Sequence, residues 1–223
     1  MRSKAGLTVV ATVCAMLLAG CGGGDTESSR RNGDSAEGHE DVRVSLSAVQ
    51  LREAMPEKLP KGVGGISRPA TYEGQEAVDK CGSETGTGCS GLVASGIDGY
   101  TTFPGEGDLF WQAFSFDTAE NAQVAWKAMV SRKRKEETEA LKALKVSADA
   151  DEVNAYCLTP DYDYDYSTGK DMKFYDATVM MRIEGVVVLL VGYDMPNFEV
   201  IQKLATIAAA RVTAVVQGKN PDA

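Results

Sequence analysis

Two adjacent segments near the end of the chain have the strongest strand pattern in the sequence. Residues 186–191 are consecutive Val and Leu residues, so an extended chain would be apolar on both faces there. The preceding segment, 172–183, is joined to them by Glu184-Gly185, a pair typical of a two-residue hairpin turn in which Gly supplies a positive φ. A strand that is apolar on both faces is predicted to lie in the middle of a covered sheet.

A second segment, 108–116, has the same two-sided pattern but uses aromatic residues. One face carries Phe110, Phe114 and Phe116, and the other carries Leu109, Trp111 and Ala113. Further strands are predicted at 92–103 and 153–158 from their content of β-branched and aromatic residues. The Gly-rich segments 62–69 and 81–91 are predicted to be irregular.

Apolar residues at helical spacing predict an early helix at 46–55. Its apolar positions are Leu46, Val49 and Leu51, and Pro56 ends it. A helix of this length with one apolar side is expected to pack against the sheet.

Two longer helices are predicted further along the chain. The first begins at Asp117-Thr118-Ala119-Glu120, where Asp117 is the expected N-cap and Glu120 completes a capping box. The last spans 196–217, with Pro196 in its first turn and Gly218 just beyond its end.

The order of these elements predicts one α+β domain at 45–218, followed by a short tail at 219–223. We expect an antiparallel sheet of about five strands with packed helices, closed by the C-terminal helix.

The N-terminal segment has the composition of a secretory signal. Arg2 and Lys4 precede the apolar run 7–18, which is shorter than the roughly 20 residues of a spanning helix. The run ends in Leu18-Ala19-Gly20-Cys21, which resembles the lipobox of bacterial lipoproteins at all four positions. The resemblance implies cleavage before Cys21 and a diacylglycerol on its sulfur, and two acyl chains give a stable anchor. The alternative is an ordinary secretory signal that happens to contain a cysteine.

The segment after Cys21 is predicted to be a flexible tether. Residues 22–44 are rich in Gly, Ser and charged residues and contain almost no large apolar ones. A random coil of this length spans about 27 Å. The domain is therefore expected to lie on the outer face of a cell membrane, anchored by lipid and held clear of the bilayer.

The charge of the chain excludes one class of partner. The net charge is −9, and without residues 1–20 the remaining 21 basic and 32 acidic residues give −11. A protein this acidic is a poor ligand for nucleic acid or for an anionic membrane surface. We therefore predict no nucleic-acid partner.

The cysteines of the folded segment are Cys81, Cys89 and Cys157, which allow one disulfide in an oxidising compartment. The pair Cys81–Cys89 is the first prediction because it closes a short Gly-rich loop. Pairings of Cys157 with either partner are the alternatives, and the remaining thiol is expected to be a buried apolar group rather than a nucleophile.

The sequence offers little catalytic chemistry. The only histidine, His39, lies in the predicted tether, so the domain has no His base, no Ser/His or Cys/His pair and no His metal ligand. The segment 86–91 matches the spacing G-x-G-x-x-G, but a dinucleotide site needs a strand before it and a helix after it. No cofactor, metal site or catalytic residue is predicted, although carboxylate chemistry remains open.

The most unusual run is Asp161-Tyr162-Asp163-Tyr164-Asp165-Tyr166, which alternates acids with aromatic residues. Carboxylates at alternate positions are similar to the start of a calcium-binding loop, but the glycine and the terminal Glu of such a loop are missing. Asp161, Asp163 and Asp165 are therefore a candidate ligand or cation loop. A solvated loop and an aromatic patch for a protein partner are the alternatives.

Several features in the same order resemble a known group. They are the lipobox, Leu51 followed by Leu59-Pro60-x-Gly62, a cysteine-bearing loop, the 108–116 strand with its helix start, the Val-rich hairpin and an Ala-rich last helix with Arg211. The group is the actinobacterial lipoproteins related to the extracytoplasmic sensor domain of PknH-type receptor kinases. The resemblance implies a domain that binds a ligand in a cleft without catalysis. The two disulfides of that group do not fit three cysteines.

We therefore expect a lipid-anchored, extracytoplasmic, non-enzymatic domain that binds an unknown small ligand or an envelope protein. The alternatives are a carboxylate-dependent envelope enzyme and a lipoprotein that only contacts other proteins.

Overall fold

The computed structural model describes residues 45–103, 107–137, 141–158, 161–165 and 170–223, with the backbone alone at 161–165 and 170–172. The predicted signal peptide, the lipidated Cys21 and the tether lie outside these residues. The four helices are α1 Ala48–Ala54, α2 Gly74–Thr85, α3 Ala119–Glu136 and α4 Glu199–Val216. The strands are β1 Val63–Gly65, β2 Ala70–Glu73, β3 Leu92–Thr102, β4 Asp108–Phe116, β5 Lys142–Ala143, β6 Glu152–Cys157, β7 Asp161–Asp165, β8 Lys170–Ile183 and β9 Val186–Met195.

The strands form one antiparallel sheet in the order β1-β3-β4-β9-β8-β6-β5, with β2 also pairing with β3 and β7 with β8. The α+β class, the antiparallel sheet and the C-terminal helix are confirmed. The described strands number nine rather than about five. The additional ones include β1, β2 and β5, which have two to four residues each and are too short to show a period of two.

The central strands have the two covered faces that their pattern predicts. On one face of β4 and β9, Leu109, Trp111, Val188 and Leu190 pack with α1 and α4 in the larger part of the core. Helix α4 packs through one apolar stripe, which consists of Ile201, Leu204, Ala205, Ala208, Ala209, Val212, Val215 and Val216.

The opposite face of the sheet is covered by α2 and α3. Phe114 and Phe116 of β4 and Val187 and Leu189 of β9 pack here in the smaller part of the core. The fully buried residues that the two helices contribute are Cys81 from α2 and Ala122, Ala125 and Met129 from α3, and the partly buried Trp126 and Val130 of α3 pack beside them.

Helix α2 replaces part of the segment predicted to be irregular. Its buried stripe is Ala77, Cys81 and Thr85, at intervals of four residues. These side chains are small and partly polar, so the stripe lacks the large apolar residues by which a helix is predicted from sequence.

The helix boundaries differ from prediction at two places, and one residue expected on the apolar side of the first helix is exposed. Thr118, not Asp117, is the N-cap of α3, and Asp117 instead accepts a hydrogen bond from the side-chain amide of Asn121 at 2.7 Å. Helix α4 begins at Glu199 rather than in the turn that contains Pro196. In the first helix, Val49 is 69% exposed.

The hairpin turn between β8 and β9 has a positive φ at Glu184, 50°, where the sequence indicated Gly185. Hydrogen bonds compensate for this unfavourable angle. Glu184 N donates to Asp151 Oδ2 at 2.7 Å, and its carbonyl accepts from Arg182 at 3.0 Å. Across the described segments, none of the helices combines the length and apolar character that crossing a membrane requires.

Candidate functional site

A polar cleft of about 460 Å³ lies where the end of α3 meets β6, β8 and β9. We call it the α3 cleft. The polar side chains that line it include Lys133, Glu136, Glu137, Tyr156, Asp176 and Tyr193.

The floor of the α3 cleft is a row of residues across three strands. Tyr156 of β6 lies opposite Thr178 of β8, and Thr178 lies opposite Val191 of β9. Directly opposite residues on one face of a sheet are close neighbours, so register alone brings these three side chains together. The last turn of α3 passes over this row and supplies Lys133 and Glu136.

Tyr156 is the buried polar group of the α3 cleft. Its side chain is 1% exposed, and its hydroxyl lies beside the side chain of Thr178 without forming a hydrogen bond of good geometry to any described residue. Burial raises the pKa of Tyr156, and a weak hydrogen bond with the Thr178 side chain opposes the rise. A buried polar group without a partner costs about 1–3 kcal/mol. A ligand that hydrogen-bonds with Tyr156 Oη would remove this cost.

Lys133 joins the two helices beside the cleft. Its Nζ lies 2.8 Å from Glu84 Oε2 of α2 and 3.7 Å from Glu136 Oε2. Burial lowers the pKa of Lys133, but the hydrogen bond with Glu84 and the charges of both carboxylates outweigh it, so the pKa is raised. Lys133 is therefore a cation already neutralised by protein carboxylates.

Glu136 is held ionised. Arg132 Nε lies 2.6 Å from Glu136 Oε1, a salt bridge between residues four positions apart on one helix face. The hydrogen bond from Arg132 lowers the pKa of Glu136 against a small opposing effect of burial, and Lys133 adds to the lowering. A carboxylate of this kind is a poor proton donor at neutral pH.

The lining of the α3 cleft contains three carboxylates, Glu136, Glu137 and Asp176, and the cation Lys133. Glu136 is paired with Arg132, and Asp176 Oδ1 accepts a hydrogen bond from Asp194 N at 2.8 Å. Tyr193 adds an aromatic ring at the same place; it is 48% exposed and packs edge-to-face on Phe110 with 6.2 Å between ring centroids. Carboxylates beside an aromatic ring and a hydroxyl suit a ligand with an ammonium group.

The acidic run lies next to this cleft along the backbone. Asp161, Asp163 and Asp165 belong to strand β7, not to a loop, and β7 pairs with β8 so that Asp161 is opposite Phe174. Two residues further along β8, Asp176 lines the α3 cleft. The side chains of the three Asp residues lie outside the described ones, so their role in binding a cation stays a prediction. Within the described part of the chain, no group of metal-ligating side chains is assembled.

The disulfide forms between Cys81 and Cys89, which confirms the first of the predicted pairings. Cys157 is a free thiol, 6% exposed, and burial raises its pKa, so it is not an activated nucleophile. The Gly-rich segment after Cys81 follows helix α2 and precedes strand β3, the reverse of the order a dinucleotide site needs.

The sequence pattern did not identify the α3 cleft. In the sequence Tyr156 is only part of a predicted short strand, and no pattern links it with Lys133 and Glu136 of α3. Their combination depends on strand register and on the position of α2, neither of which the sequence pattern predicts. The nearest signal was the acidic run that becomes β7.

The fold is thus an α+β domain with helices on both faces of an antiparallel sheet. No family model matches the chain, and no curated protein matches it. Among solved structures it is similar to the extracellular domain of PknH from Mycobacterium tuberculosis, with a TM-score of 0.41 and 12% identity, over 79% of this chain and 94% of that chain. At this TM-score the likeness carries no argument about the α3 cleft.

Proposed function

We propose that this protein is a lipoprotein anchored through Cys21 on the outer face of the cell membrane, and that its domain binds a small amine without catalysis. The ligand class is a compact molecule with a cationic ammonium group, and the α3 cleft is its site. A sensor-like role follows from such binding, because a ligand-binding domain tethered outside the cell reports on small molecules in the envelope.

The observation that carries the proposal is the Tyr156 hydroxyl, buried and without a hydrogen bond of good geometry to any described residue, in a cleft lined by three carboxylates. An ammonium group donates to a phenol oxygen and to carboxylates, and it is attracted to the face of an aromatic ring such as that of Tyr193. One ligand group would therefore bind the buried hydroxyl and a carboxylate together.

Butylamine is a suitable probe of this site, measured by ligand-observed NMR titration of the full chain in detergent micelles. We expect saturable binding, at least tenfold weaker in Asp176→Asn because a hydrogen bond to a charged group contributes about 1.5–3 kcal/mol. Asp149→Asn, the same charge change at an exposed residue outside the cleft, is the matched control and should bind like the wild type. Equal weakening in both variants would mean that butylamine responds only to overall charge, and the proposal would be wrong.

The anchor is tested separately by Cys21→Ala. We expect the variant to be released to the medium or to remain unprocessed, because no sulfur is present to accept the lipid. A variant that is cleaved normally and still fractionates with membranes would contradict the anchoring.

A carboxylate-dependent envelope enzyme is the second candidate function, favoured by the three carboxylates in the α3 cleft. Release of reducing ends from envelope polysaccharide by the purified protein would support it. The ionised state of Glu136 favours binding instead.

A further inference from the structure

A second, smaller hollow lies on the same face of the sheet, between α2 and strands β2, β3 and β4. It is a small, partly open hollow, with a volume of about 250 Å³ when the space open to solvent is included. We call it the α2 pocket. The residues that shape it are Tyr72, Lys80, Ser95, Ile97, Gln112 and Phe114.

The floor of the α2 pocket is built by strand register. Tyr72 lies opposite Ser95, and Ser95 lies opposite Phe114, so a small hydroxyl residue stands between two aromatic ones. In the neighbouring row, Ile97 lies opposite Gln112. The small side chain at position 95 leaves the space that the larger neighbours enclose.

Ser95 is a buried polar group that faces this space without a partner. It is 2% exposed, and no hydrogen bond to its Oγ is formed by any residue that the structure describes. Buried hydroxyl groups are normally hydrogen-bonded, so one that is not, in the wall of a hollow, indicates a bound group.

Lys80 supplies the charge. Of the described residues that line the α2 pocket, it alone is charged, and its Nζ lies 5.2 Å from the centroid of the Tyr72 ring. No ion pair of Lys80 with another described residue lies within 4.0 Å. The net charge of the chain is −9, but the α2 pocket itself contains a cation at its rim. This local positive charge favours the binding of an anion in the pocket.

We propose that the α2 pocket binds a small organic monocarboxylate. The carboxylate accepts hydrogen bonds from Lys80 Nζ and Ser95 Oγ, and a short carbon chain packs against Ile97 and Phe114. This site has the opposite charge selectivity to the α3 cleft and does not depend on it. The disulfide at Cys81 holds the roof of the pocket, because Lys80 is the adjacent residue of α2.

Sodium butyrate tests this proposal by ligand-observed NMR titration of the full chain in detergent micelles. We expect one saturable site, at least tenfold weaker in Lys80→Gln, since a hydrogen bond to a charged group contributes about 1.5–3 kcal/mol. Ser95→Ala should also weaken binding, by about fivefold, while its unfolding midpoint stays unchanged. Lys127→Gln, an exposed lysine of α3 outside the pocket, is the matched control and should bind butyrate like the wild type.

Three outcomes would overturn the proposal. They are no saturable butyrate binding, unchanged affinity in Lys80→Gln or Ser95→Ala, and equal weakening in Lys127→Gln. Butylamine is similar in size to butyrate and has the opposite charge. If butylamine displaced butyrate, the two ligands would share one site, and this would contradict the proposal of two separate sites.

Discussion

The two faces of the sheet are covered by helices of equal length but different character. Helices α3 and α4 have 18 residues each; nine residues of α4 are buried and only three of α3. The α4 face is closed by an apolar stripe. The α3 face, covered by α2 and α3, has a smaller apolar core and also contains a disulfide and ion pairs such as Lys133 with Glu84. Both proposed sites lie on the less completely packed α3 face.

The difference indicates how one sheet can combine stability with binding. Hydrophobic burial at about 25 cal/mol per Å² favours filling a face completely, as α4 does. A face with fewer buried helix residues leaves hollows between its helices and the sheet, and in those hollows polar groups such as Tyr156 and Ser95 lack a hydrogen bond of good geometry to the described residues. The comparison therefore assigns most of the stability to the α4 face and the two proposed ligand sites to the α3 face.

The largest expected effect comes from damaging the α4 face. Leu204→Ala removes a fully buried side chain and should lower the free energy of unfolding by about 3 kcal/mol, because it leaves a cavity in the core. Urea denaturation measures the change. Val124→Ala on the exposed side of α3 is the control, with a change within about 0.5 kcal/mol. If Leu204→Ala and Val124→Ala lowered the free energy of unfolding equally, the α4 face would not be the more stabilising of the two faces.

The next largest effect comes from the disulfide on the α3 face. Replacing Cys81 and Cys89 together by Ala removes a cross-link between residues separated by eight positions. Loop-closure entropy predicts a loss of about 2.5 kcal/mol. Thermal unfolding monitored by circular dichroism measures it, and butyrate binding should also weaken because α2 loses its attachment. A variant with unchanged stability and unchanged butyrate affinity would show that the disulfide does not hold the pocket.

A smaller effect is expected at the C-terminal end of α4. Arg211 Nη1 lies 2.6 Å from Asp222 Oδ1, and the hydrogen bond from Arg211 lowers the pKa of Asp222 below its usual value of 3.8. The ion pair therefore stabilises the fold above about pH 4, and its contribution is lost as the pH falls through the lowered pKa.

Asp222→Asn tests this pH dependence. The variant should be less stable than the wild type at pH 7, and the difference should shrink below about pH 4. Urea denaturation at several pH values measures both. A difference that is constant from pH 7 to pH 3 would contradict an electrostatic origin.

The smallest effect on stability is expected at the unpartnered hydroxyl of the α3 cleft. Tyr156→Phe deletes an oxygen that lacks a hydrogen bond of good geometry with any described residue, so unfolding should be unchanged or slightly less favourable than in the wild type. Butylamine affinity should nevertheless fall. Destabilisation by more than about 1 kcal/mol would show that the hydroxyl is part of the fold rather than of a site.

The central part of the fold could be predicted from the sequence because its strands are apolar on both faces. The segments 108–116 and 186–191 can only be covered strands, and the structure pairs Phe114 directly with Val187. Helix α2 could not be predicted, since its buried residues are small and one is a threonine. The hydrophobic pattern does not distinguish such a stripe from a loop.

The sites were less predictable than the fold for a different reason. Tyr156, Thr178 and Val191 come from three strands, and only the register of the sheet makes them neighbours. The same holds for Tyr72, Ser95 and Phe114 in the α2 pocket. Hydrophobic patterning predicts which residues are strands but not which residues lie opposite each other, so a site built across strands leaves no local motif.

The most direct test of binding on the α3 face is chemical-shift mapping of the ¹⁵N-labelled full chain in detergent micelles during titration with butylamine. The account predicts saturable shifts of the backbone amides of Thr178, Gly192 and Tyr193, and none along α4. Shifts that are spread over exposed carboxylates throughout the domain, or that are confined to the α4 face, would contradict it.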